Sequence, residues 1–129
     1  MTWLMNKLSR PQSAAAALLL VACMHAIAKT PDCTQPDAWP GGMAFTRLKN
    51  AGVLNNDSLD FTKTKVTRLA SEKIGKDLYR QVHMVRFVKK SGERVDAITV
   101  NEVSEQECSM SDVDVYLVAQ HLGGASSEK

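Results

Sequence analysis

The sequence predicts an α+β fold: one N-terminal helix packed on a four-stranded antiparallel β-meander, closed by one disulfide. Three observations carry that prediction. A proline-led segment near residue 40 places apolar side chains at spacings of three and four. Long stretches rich in Val, Ile, Tyr and Phe follow, with turn chemistry between them. Two cysteines, Cys33 and Cys108, flank nearly all of this. Length and composition agree. A chain of 129 residues holds one domain, and 44% apolar with 23% charged residues is the make-up of a globular protein.

The segment before the fold reads as an export signal over residues 1–28. Lys7 and Arg10 give a basic start, an apolar stretch runs from Ala14 to Ala22, and no acid precedes Asp32. The stretch is shorter than the roughly 20 apolar residues that cross a bilayer. Two exits compete. Ala26-Ile27-Ala28 suits a signal peptidase and would leave Lys29 as the mature start. Leu20-Val21-Ala22-Cys23 resembles a bacterial lipobox, which implies a signal over 1–22 and lipidation of Cys23. Either exit removes Cys23 from the pairing and leaves Cys33 with Cys108. An oxidising periplasm favours the bond, and the loop of about 75 residues gives it roughly 4 kcal/mol in the chain-entropy account. A reactive thiol is the rival, but Glu102, Glu105 and Glu107 beside Cys108 would disfavour the thiolate.

Within the mature chain, residues 29–38 carry two prolines and no period, so they form an extended leader. A single α+β domain spans 39–122. Pro40 suits a first helical turn, and Met43, Ala44, Arg47, Leu48 and Ala51 mark a helical face. Gly52 is placed to end the helix in a left-handed conformation, and Trp39 to pack back on it. Residues 64–74 fit either a helix, through Val66, Leu69, Ala70 and Ile74, or a strand, through β-branched Thr64, Val66 and Thr67; the strand is favoured. Further strands are expected at 78–89, 95–103 and 112–121, with Gly92 in the hairpin turn. Residues 123–129 make a tail. In outline this is similar to cystatin-like folds.

Charge narrows the function classes. The net value is only +2, and aromatics make up 5%, which argues against a nucleic-acid partner. The distribution is uneven. Residues 63–94 hold ten Lys/Arg and three Asp/Glu, whereas residues 95–129 hold one and seven. Basic strands beside acidic ones explain this by cross-strand pairing; a two-toned surface for a charged partner is the sharper reading. The second strand is apolar on both parities, with Leu78, Val82, Met84 and Val88 on one and Tyr79, Val85 and Phe87 on the other. A bulge near His83–Val85, burial on both sides or a patch left for a partner would each produce that pattern.

No spacing typical of a metal site occurs, and no cofactor is expected. No serine lies in G-x-S-x-G, and no phosphate-binding glycine loop is present. The expectation is a non-enzymatic, exported protein-binding module, periplasmic or secreted, or an outer-membrane lipoprotein if Cys23 is acylated. Its partner would be another envelope or secreted protein, in the manner of an inhibitor or immunity-type protein. Tyr79, Arg80, His83, Arg86 and Phe87 form the candidate partner-binding face. The alternative is a small periplasmic hydrolase using His83 or His121. Several stretches also resemble a group of small exported proteins of unassigned function from Gram-negative bacteria, Burkholderia relatives among them. They are Gly42-Met43-Ala44-Phe45, Ile74-Gly75-Lys76-Asp77-Leu78-Tyr79 and Glu107-Cys108-Ser109-Met110-Ser111. The resemblance implies export and lends no catalytic residues.

Overall fold

A computed structural model describes residues 30–119 together with Leu122. The export signal, Cys23 and His121 lie outside the described residues. Pro40 near the start and Gly52 just past the end bracket helix α1, Trp39–Asn50. Its first turn has no side-chain cap and no acid, while Arg47 and Lys49 sit in the last turn, where they suit the helix dipole. Gly52 takes φ 75°, and the Val53 N–H returns to the Leu48 carbonyl at 2.9 Å, closing the helix end. Asn55 then shapes the expected turn by accepting the Ser58 N–H at 2.8 Å. A short 3₁₀ turn, Phe61–Lys63, leads into the sheet; Asp60 caps it by accepting the Thr62 N–H.

The sheet has four antiparallel strands in the order β1-β2-β3-β4, which is the meander expected. They are β1 (Lys65–Gly75), β2 (Leu78–Val88), β3 (Arg94–Val103) and β4 (Asp114–Val118). The contested stretch 64–74 is therefore a strand from Lys65 onward, with Thr64 ending the 3₁₀ turn before it. Gly92, at φ 90°, turns β2 into β3. The β2–β3 register runs unbroken from Tyr79 opposite Val103 to Val88 opposite Arg94. The β2–β3 ladder has no bulge; the β1–β2 register is irregular at two places, between Arg68 and Ala70 and between Lys73 and Gly75 of β1. The last strand begins two residues later than the alternation at 112–121 suggested, and residues 120–121 of that expectation lie outside the described residues. Asp112 is held outside the ladder by Arg47 at 2.9 Å, and its own carboxylate accepts the Val113 N–H.

Helix α1 covers one face of the sheet. Ala44 and Leu48 pack with Val66, Val85, Phe87, Val95 and Ala97, joined by Leu54 and Leu59 from the connection. A second, smaller cluster gathers Cys33, Tyr79 and Val103 at the other end of the strands. The two are joined by a disulfide-anchored leader. Cys33 is bonded to Cys108 with their Cα atoms 5.8 Å apart, and Cys108 lies in the β3–β4 connection, not at the start of β4. Trp39 does not fold back on its helix. Its indole N–H donates to the Ser111 carbonyl at 3.1 Å, tying the helix start to the same connection.

Candidate recognition surface

The unbroken β2–β3 register sorts the side chains by parity, because residues directly opposite one another in antiparallel strands share a face. Tyr79, Gln81, His83, Val85 and Phe87 point to the helix side and are buried. Arg80, Val82, Met84 and Arg86 point to the uncovered side. The five residues of the expected partner face are thus divided. Tyr79, His83 and Phe87 sit in the interior, at 6%, 0% and 2% exposure, and only Arg80 and Arg86 remain on an open surface. Apolar side chains on both parities follow from this. One set fills the core and the other lines a sheet face that no element of the described chain covers.

That open face has a definite layout. Val82 pairs with Val100, and Met84 with Ile98, at its centre. Tyr116 stands opposite Ile98 and Val118 opposite Asp96 on β4, at 58% and 42% exposure. Leu69, thrown outward by the β1 irregularity, adds another apolar residue at 53% exposure. It borders a shallow hollow of about 170 Å³ with Lys65, Thr67, Met84 and Arg86.

Ion pairs close the apolar band at both ends. Arg86 makes a two-pronged contact with Asp96, Nε to Oδ1 at 2.9 Å and Nη2 to Oδ2 at 3.0 Å. This hydrogen bonding is what raises Arg86 above the ordinary guanidinium value. At the other end Arg80 reaches Glu102 at 3.6 Å. The uneven charge of the sequence is therefore partly spent in pairing β2 with β3, as the cross-strand explanation required. Between the pairs lie Val82, Met84, Ile98, Val100 and Tyr116, with the exposed Asp114 opposite Val100 and the exposed Lys65 opposite Arg86 on the same face.

The helix-side face holds a polar layer that sequence reasoning missed. Gln81 and Asn101 are paired across the strands, as are His83 and Thr99. All four are buried between the two apolar clusters. The leader closes over them: the Pro31 carbonyl accepts from Gln81 Nε2 and from Arg68 Nη1, each at 2.9 Å. Gln81 also donates to Ser71 at 3.1 Å, and Asn101 to the Cys108 carbonyl at 2.8 Å. Neither ring nitrogen of His83 has a hydrogen-bond partner among the described residues. Burial lowers its pKa first, the nearby Arg68 charge adds to that, and Asp32 opposes it. The signal was present in the sequence, since Gln81 and His83 share the parity of Val85 and Phe87; a tally of apolar residues alone passed over it.

Among the described residues no three His, Cys, Asp or Glu side chains come together in a way that could hold a metal ion. No described helix is long and apolar enough to cross a membrane. No protein-family model, curated protein or solved structure matches the chain.

Proposed function

We propose that the protein is a non-enzymatic module that binds another protein after export, and that the open face of its sheet is the recognition surface. The observation that carries this reading is the apolar band of Val82, Met84, Ile98 and Tyr116, bounded at each end by an ion pair. Such a layout has the anatomy of a binding surface, an apolar centre within a polar rim. Two rim pairs, Arg86–Asp96 and Arg80–Glu102, are made within the sheet, and Asp114 and Lys65 add one charge of each sign to the same face, so the occupant needs a matching apolar patch and no large net charge. A folded envelope or secreted protein of that chemistry is the proposed partner. The Cys33–Cys108 bond supports an oxidising destination, together with the basic, apolar and small-residue order of residues 1–28. An inhibitor or immunity-type role is the most concrete form of the reading.

Site-specific photocrosslinking in the native envelope tests it. A photoreactive side chain at Tyr116 or Met84 should give one adduct of defined mass. The same group at Thr46, on the exposed side of α1, should give none. Adducts of equal yield from all three positions, or none from any, would contradict the proposal. An adduct of twice the chain mass would replace the foreign partner with a second copy.

A further inference from the structure

On the helix side, away from the open sheet face, a cavity of about 360 Å³ lies where the leader meets the first turn of α1. That volume is within the usual range for small-ligand sites. All three phenylalanines of the chain, Phe45, Phe61 and Phe87, line it. Their rings are inclined to one another and not stacked flat. Phe45 and Phe61 stand 5.3 Å apart at 68°, and Phe45 and Phe87 6.2 Å apart at 51°. Phe61 is 52% exposed, an unusual position for a large aromatic on a three-residue turn. At Gly42 a Cβ would meet nothing within 4 Å, so the helix leaves that wall open.

The sole charged group in the lining is Asp37. Its side chain is exposed and makes no ion pair among the described residues. A neutral apolar guest would draw water away from this carboxylate without return, and an anion would be repelled by it. A cation with an apolar body satisfies both parts of the wall. Its charge is attracted by the carboxylate and by the negative faces of aromatic rings, and its body is buried against them. We propose that this cavity is a binding site for an organic cation, a quaternary or protonated amine carrying an apolar group of about the size of a phenyl ring. The site shares no residue with the recognition surface, so the two can succeed or fail separately.

NMR titration of the folded, disulfide-bonded protein decides the matter. Phenyltrimethylammonium serves as the probe and tert-butylbenzene as its uncharged counterpart of the same shape. The cation should shift the Phe61 ring and Gly42 amide signals and bind at least fivefold more tightly than the neutral molecule. Asp37→Asn should reduce that preference at least threefold while leaving neutral binding unchanged. Phe61→Ala should weaken the cation by roughly twofold to thirtyfold, the range spanned by cation–π contacts. Both side chains are exposed, so both variants retain the core. Equal affinity for the two probes, a preference undiminished by Asp37→Asn, or no shift with either probe would each overturn the proposal.

Discussion

His83 is the interior residue whose chemistry bears most directly on conditions. The ring is fully buried and held below its ordinary value of 6.5, first by burial and then by the Arg68 guanidinium, against the opposing charge of Asp32. Above pH 6.5 the imidazole is neutral in the folded and unfolded chain alike, and its contribution to stability is fully present. As pH falls below 6.5 the unfolded chain takes up a proton that the folded chain does not. Stability should then decline, by up to about 1.4 kcal/mol per pH unit, until the folded value is reached. Asp32, Asp60 and Asp112 are each held below the ordinary 3.8, chiefly by hydrogen bonds from neighbouring residues. Their losses belong to a lower window, as pH falls through 3.8. Urea midpoints between pH 7.5 and 5 should therefore fall in the parent protein and stay flatter in His83→Gln. A parent protein with no slope in that interval would contradict the placement of His83.

Helix α1 supplies a sharper test at the scale of one element, because two adjacent glycines should respond in opposite directions. A Cβ on Gly41 would lie 2.5 Å from the Pro36 carbonyl oxygen, in the backbone of the leader that crosses it. Gly41→Ala must push the leader away and should cost about 1–3 kcal/mol. At Gly42 the added methyl meets nothing within 4 Å, and the helix backbone gains order. Gly42→Ala should stabilise by about 0.5–1 kcal/mol. Denaturant midpoints moving the same way in both variants would show that the leader does not pack as described.

The strands show how far local pattern reaches. Helix α1, the Gly52 stop and the Gly92 turn were legible because each depends on neighbours in sequence. Residues 65–75 were not decided by period, since Val66, Leu69 and Ala70 also fit a helical face. Pairing with β2 decides them, and that pairing is non-local. The start of β4 was misjudged for a similar reason. Asp112 and Val113 look like the start of an alternating strand, but Asp112 is drawn to Arg47, and the neighbouring Ser111 accepts the Glu102 N–H at 2.8 Å. Side chains there take the place of ladder bonds.

For the whole molecule, the Cys33–Cys108 bond joins a leader with little apolar content to the connection beside β3 across 75 residues. Reduction should cost about 2–5 kcal/mol, or about 10–30 °C in melting temperature for a domain of this size. Cys33→Ala with Cys108→Ala should melt in the same lowered range and show no further response to reductant. The pairing was readable from cysteine arithmetic once the export reading of residues 1–28 set Cys23 aside. The candidate site was only half readable. Apolar residues on both parities of β2 pointed to a second apolar face, but Tyr79, His83 and Phe87 were assigned to it when their parity belongs to the core. Which parity faces the helix depends on where α1 docks, and that is set by Ala44, Leu48 and the strands together.

The central claim is that the open sheet face binds a protein, and affinity for the crosslinked partner tests it most directly. Tyr116→Lys places a charge on the β4 side of the band, opposite Ile98, at a position already 58% exposed, so the fold is retained. Thr46→Lys places the same charge on the outer side of α1. Titration calorimetry should find the partner's affinity for Tyr116→Lys reduced at least tenfold, with Thr46→Lys bound as tightly as the parent. Unchanged affinity for Tyr116→Lys, in a protein that melts like the parent, would contradict the account.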